Sequence, residues 1–190
     1  MRRAIYALIT IGALAGATAS LVPGLGQSNN ESAAPVFGVK IPPGYRDWTV
    51  ISVAHVGAPL NDLRVKLGND IAMKALREGT QPFPDGAIIA RLAYRQVTSE
   101  ENNNLLRGVL ERQGLAPEVV TKLLAESFVA GPATNVQFMV KDSITYAATG
   151  GWGFAQFTDG KPDGEALHKT CFGCHEPGKD RDFVFTRYAP

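Results

Sequence analysis

Cys171 and Cys174 are the only cysteines in the 190-residue sequence, and His175 follows directly in the run Cys171-Phe172-Gly173-Cys174-His175. C-x-x-C-H is the attachment pattern of a c-type haem. Two thiols add across the two vinyl groups of the porphyrin, giving two thioether bonds, and two intervening residues set a separation that reaches both vinyls. The His after the second Cys comes round beneath the ring, where its imidazole can bind iron. The expectation is one haem c, covalently held through Cys171 and Cys174, with His175 as an axial ligand. Other uses of the pair fit less well. A structural disulfide suits an exported protein with two Cys, but the spacing favours haem. A thioredoxin-like pair opens a helix after a strand in a βαβ context, whereas this motif lies near the end of the sequence. A zinc site needs more ligands at regular spacing, and His55 and His168 form no such pattern.

The second axial position decides between an electron carrier and a reactive site. No Met and no His follows His175, so a Met ligand downstream of the motif is excluded. Upstream, Met139 sits in an alternating stretch and Met73 in a short helical one, and both read as core. His168 reads as a surface residue ahead of the motif, and His55 as a hydrogen-bonded residue at a strand end. The favoured state is five-coordinate iron with an open or water-occupied distal site.

The N-terminus carries an address. Arg2 and Arg3 precede an apolar run from Ala4 to Gly16, and Ala17-Thr18-Ala19 is a small-x-small cleavage signature. Residues 1–19 are therefore expected to be a signal peptide rather than a retained anchor, the run being short for a membrane span. Residues 20–35 read as a flexible leader, and 36–190 as the working domain. Covalent attachment suits a protein exported to the periplasm or beyond, since the cofactor cannot be lost there. Lys and Arg number 19 against 18 Asp and Glu, so removal of Arg2 and Arg3 leaves a net charge of −1. That gives no basic field for nucleic acid and, after signal removal, no membrane segment. With 45% hydrophobic and 19% charged residues, the chain can fill one core.

Period-2 segments dominate the elements that must position this chemistry. Trp48 to His55 reads as a strand launched from the turn Pro42-Pro43-Gly44, and Leu63, Val65 and Leu67 alternate with Arg64 and Lys66 in a second. Asn69 or Asp70 can cap a short helix from Ile71 to about Glu78, with Gly79 as its C-cap. Further strands are expected over 87–97, 136–141 and 152–157, with a short sixth at Phe183-Val184-Phe185. Residues 98–127 break the pattern. Thr98-Ser99-Glu100-Glu101 fits a capping box, Leu105, Leu106, Val109 and Leu110 follow at helical spacing, Gly114 stops the helix, and Pro117 opens another. These leucines read as packing in a helical insert. Glu165 to Thr170 is a short helix leading into the motif. The fold class is α+β: a mainly antiparallel β-sheet with flanking helices, the helical insert and a C-terminal haem segment. The Pro and Gly content and the period-2 segments argue against a four-helix bundle of the cytochrome c′ kind, the other fold with C-x-x-C-H near its C-terminus.

The order of several phrases resembles the cytochrome P460 family, including its cytochrome c′-beta relatives. They are Ile41-Pro42-Pro43-Gly44-Tyr45-Arg46-Asp47-Trp48, Phe83-Pro84-Asp85-Gly86, Val140-Lys141-Asp142-Ser143, Gly150-Gly151-Trp152-Gly153-Phe154, the Cys171 to His175 run, and Phe183-Val184-Phe185-Thr186-Arg187-Tyr188. The resemblance implies a sheet-rich haem protein with a proximal His and an open distal face, which oxidises hydroxylamine or binds nitric oxide. Family enzymes also bond a Lys side chain to the porphyrin edge. Lys74 is the nearest candidate for that bond, with Lys66 and Lys141 behind it. Phe138 or Phe154 could wall the distal pocket, as aromatic caps do in the c′-beta relatives, and Arg91 could assist proton transfer. The first expectation is an exported P460-like oxidoreductase acting on hydroxylamine or a related small nitrogen oxide and passing electrons to an external redox partner. The alternatives are a non-enzymatic nitric-oxide-binding protein and a simple electron-transfer cytochrome. A homodimer is possible, since the family often pairs its subunits.

Overall fold

The computed structural model describes residues 37–189; the expected signal peptide and leader lie outside the described residues. Six strands run in simple order: β1 (Thr49–Val56), β2 (Asp62–Gly68), β3 (Ile88–Val97), β4 (Val129–Lys141), β5 (Trp152–Thr158) and β6 (Lys161–Pro162). Every neighbouring pair is antiparallel. Helix α1 (Asp70–Glu78) joins β2 to β3, α2 (Glu100–Arg112) and α3 (Pro117–Ala125) form a hairpin between β3 and β4, and α4 (Glu165–His175) follows β6. This is the α+β fold expected from the sequence.

Strand alternation gives the sheet two different faces. On one, Ala90, Leu92, Val136, Phe138, Ala155 and Phe157 build a core closed by Val39, Ile41, Tyr45 and Trp48 from the segment preceding β1. On the other, Ile89, Trp152 and Phe154 pack with Met73 of α1, Phe83, and Val184 of the C-terminal arm. This second face also carries Arg64, Lys66, Arg91, Gln137 and Met139, and it is the face that α4 and the arm approach.

Asn69 ties α1 to the sheet. Its Oδ1 accepts from Ala72 N at 3.0 Å, capping the helix, and from Ile88 N at 3.0 Å, while its Nδ2 donates to Gly86 O at 2.8 Å. Gly79 closes the helix in the left-handed region at φ 68°. Asn69→Ala removes the cap and strands the Ile88 N–H. The expected loss is about 2 kcal/mol, read as a lower denaturant midpoint with an unchanged slope.

The structure corrects several sequence readings. Phe183 to Phe185 is no strand: Asp182 and Phe183 take φ of 49° and 63°, which turns the chain out of any ladder. Lys161–Pro162 supplies the sixth strand instead. β4 begins at Val129 rather than 136 because two register shifts against β3 let Gly131 and Pro132 enter the strand. The haem-motif helix does not stop at Thr170 but runs through His175. In α2 no residue is buried, and Leu105 is 68% exposed, so its leucines do not pack as their spacing suggested. α3 does bury Val120 and Leu124.

Candidate haem site

Cys171, Cys174 and His175 lie on the last turns of α4, where residues three apart share a face. The two thiols are not bonded to each other; Cys171 is half-buried and Cys174 exposed. Burial, then Cys174, raises the Cys171 pKa above the ordinary thiol value. Among the described residues no group of His, Cys, Asp and Glu assembles that could hold a bare metal ion.

The His175 imidazole is held on three sides. Its Nδ1 lies 2.7 Å from Phe183 O. A carbonyl only accepts, so Nδ1 carries the proton and Nε2 keeps its lone pair. Phe154 and Phe185 flank the imidazole, with ring centroids at 5.0 and 4.9 Å. Burial lowers the His175 pKa, and the bond to Phe183 opposes that shift without reversing it. The ring is thus oriented through Nδ1, and burial favours its neutral form.

Two cavities, of about 390 and 140 Å³, meet at Gln137, Phe138, Met139 and His175. The smaller is bordered by Cys171, Cys174, Phe154 and Leu167. The larger is bordered by Arg64, Lys66, Arg91, Ile89, Val184 and Phe185. An apolar slot beside the thiols and a free imidazole nitrogen are the features a covalently attached porphyrin needs, so the residues fit haem c. A larger cavity of about 530 Å³ lies between α1 and the C-terminal arm and touches neither thiol nor the imidazole.

The cationic wall has a definite origin. Lys66 of β2 stands opposite Arg91 of β3, and Arg91 opposite Gln137 of β4. Arg64 is paired to Asp62, with Nη2 to Oδ2 at 2.9 Å. Arg91 donates from Nη2 to Asn135 Oδ1 at 2.6 Å, while its buried Nε has no hydrogen-bond partner among the described residues. Burial first and Arg64 second push the Arg91 pKa down to about 10. Lys66 makes no hydrogen bond or ion pair among the described residues. Burial and the charges of Arg64 and Arg91 lower its pKa.

The structure sorts the residues singled out from the sequence. Cys171, Cys174, His175, Arg91 and Phe154 come together. Lys74 does not join them: its side chain is 74% exposed and lies 4.0 Å from Glu78 on the outer face of α1. Lys66 reaches the cavity instead, because its position in β2 gives it the face of Arg91. Lys141 is committed to a buried pair with Asp182. Phe138 borders the cavities only by its place in β4; its ring packs on the opposite sheet face, 5.1 Å from Tyr45 and 5.9 Å from Phe157. Phe154 lies tilted beside the His175 imidazole, with its ring on the same sheet face as the cavities. Of the alternative iron ligands, Met139 alone borders the cavities. Met73 is core, and His55 is exposed beside Phe128. His168 is fully buried rather than on the surface, its Nε2 accepting from Gln156 N at 3.0 Å where α4 packs on β5. Sequence reading missed Phe185 as an imidazole neighbour, and no period marks it because the arm is irregular.

The Cytochrome P460 family model matches residues 42–186 of this chain. No curated protein matches it. No helix among the described residues is long and apolar enough to cross a membrane.

Proposed function

Because the chain belongs to the cytochrome P460 family of c-type haem cytochromes, we propose that it is an exported monohaem protein that oxidises hydroxylamine or a related small nitrogen oxide. Cys171 and Cys174 would hold the porphyrin by thioethers and the His175 Nε2 would bind the iron. The iron supplies a site for a small nitrogenous ligand and a route for its electrons to an external acceptor.

The observation that carries this reading is the pair Lys66 and Arg91 on the wall of the cavity beside His175. A site for neutral diatomics alone calls for an apolar lining. Oxidation of hydroxylamine must also release protons, and that calls for polar groups within reach. With a pKa of about 10, Arg91 stays protonated at neutral pH and acts as a fixed donor and positive charge, not as a base. Its unpartnered Nε supports that role. Lys66, its pKa lowered by burial and by the charges of Arg64 and Arg91, is a second polar group on the same wall.

Lys66 also replaces Lys74 as the candidate for the family's bond to the porphyrin edge. Joining the amine to a ring carbon exchanges one N–H and one C–H for an N–C bond, and two electrons and two protons pass to an oxidant such as a peroxide. The neutral amine needed for that step is favoured by the burial and the two guanidiniums around Lys66. The expected result is a red-shifted Soret band in the reduced wild type that Lys66→Gln abolishes and Lys74→Gln leaves in place. An unshifted wild-type band, or a shift that survives Lys66→Gln, contradicts the assignment.

Purified holoprotein given hydroxylamine and an electron acceptor should turn over faster than free haem. A second reading, capture of nitric oxide, draws on the apolar half of the cavity at Ile89, Met139 and Phe185. No turnover, an unshifted spectrum and tight nitric oxide binding would favour it. An electron carrier would need Met139 as its sixth ligand, and Met139→Leu would then remove a six-coordinate signature.

A further inference from the structure

Between His175 and the C-terminal arm the chain makes one tight passage. A 3-10 turn over Glu176–Arg181 leads to Asp182 and Phe183, with φ of 49° and 63°. A left-handed Asp is tolerated, but a left-handed Phe is strained and persists only when its surroundings hold it. The Phe183 carbonyl in this passage is the partner of the His175 Nδ1.

Asp182 and Lys141 hold it there. Lys141 Nζ lies 2.7 and 2.9 Å from the two carboxylate oxygens of Asp182. Oδ2 also accepts from Phe83 N at 2.7 Å, and Nζ also donates to Gly150 O at 3.1 Å. The ammonium sits 5.0 Å from the Trp152 ring centroid. The two side chains are only 5% and 8% exposed. One buried pair thus joins the end of β4, the loop before β5, the turn at Phe83 and the passage after His175. The Phe183 ring then fills the place a side chain would take at Gly150, where a Cβ would come within 3 Å of it.

We infer that Lys141 and Asp182 are positioning residues for the iron ligand: they fix the Phe183 carbonyl on His175 Nδ1, and through it the orientation and donor strength of the imidazole. The inference rests on the reading of His175 as the axial ligand. Against a well-packed apolar pair of equal volume, a buried ion pair adds little net stability. What it does provide is direction, since both carboxylate oxygens and the ammonium are used in fixed geometry. A carbonyl held on Nδ1–H makes the imidazole a stronger donor, which favours ferric iron and lowers the reduction potential. Loosening it acts the other way.

The test uses the full-chain holoprotein and a double variant, Lys141→Met with Asp182→Asn. The double variant leaves no lone buried charge, and Asn both tolerates the left-handed region and still accepts from Phe83 N–H. Its expected signature is a reduction potential shifted to more positive values and a ferrous iron–histidine stretching band shifted to lower frequency. Phe157→Leu, a core change on the opposite sheet face, should move neither. Asp182→Asn alone is read in the same way if the double variant does not accumulate. Haem-bearing variants with potential and band unmoved would overturn the inference, as would an equal shift from Phe157→Leu. A colourless wild type would overturn it together with the haem assignment, so the two failures are distinguishable.

Discussion

In a Lys66→Gln background, which removes the candidate bond to the porphyrin edge, replacing Cys171 and Cys174 together by Ala is expected to abolish covalent haem attachment. The wild-type protein should keep its colour through denaturation and extraction with acidified organic solvent, because thioethers survive both. The variant should lose it completely, since a porphyrin retained by one axial His and an open apolar slot is extractable. Each single variant should retain colour through one bond. These outcomes follow from the absence of a Cys171–Cys174 disulfide and from the way α4 sets both sulfurs beside the cavity of His175. Colour that persists in the double variant would mean that the haem is held elsewhere.

The second large effect concerns stability. Lys141→Met leaves the Asp182 carboxylate buried with only the Phe83 N–H as partner and releases Gly150 O. Breaking a buried pair from one side costs about 3–5 kcal/mol, a large share of the stability of an ordinary domain. A denaturation midpoint well below that of the wild type is expected, whereas Lys74→Met, at an exposed pair with Glu78, should change it by less than about 1 kcal/mol. Equal effects from the two substitutions would remove the pair from its place at the junction of β4, β5 and the passage after His175.

The sequence made the sheet legible wherever alternation was clean. The strands at β2, β3 and β5 follow from period-2 runs, and Asn69 and Gly79 bound α1 through local backbone chemistry that reads directly from residue type. The placement of the two thiols and His175 together beside one cavity was legible for the same reason, since it depends on spacing within one turn of chain. What remained hidden depends on distance in sequence. Lys66 and Lys74 look alike as letters, and only strand register puts Lys66 opposite Arg91 while α1 turns Lys74 to solvent. Phe138 and Phe154 both read as aromatic strand residues, and one step in the pleat sends them to opposite faces of the sheet. Phe183 to Phe185 reads as a strand because two Phe flank a Val, and nothing local announces the turn at Asp182 and Phe183 or that Lys141, some forty residues earlier, holds it. The exposed leucines of α2 show the converse: helical spacing identified the helix but not whether anything covers it.

The intact mass of the purified wild-type protein tests the central claim most directly. The expected value is that of the polypeptide plus one haem, because addition of a thiol across a vinyl group expels no atom, less the two hydrogens lost where Lys66 is bonded to the ring. A mass equal to the bare polypeptide, or to the polypeptide less the two hydrogens of a Cys171–Cys174 disulfide, would contradict it.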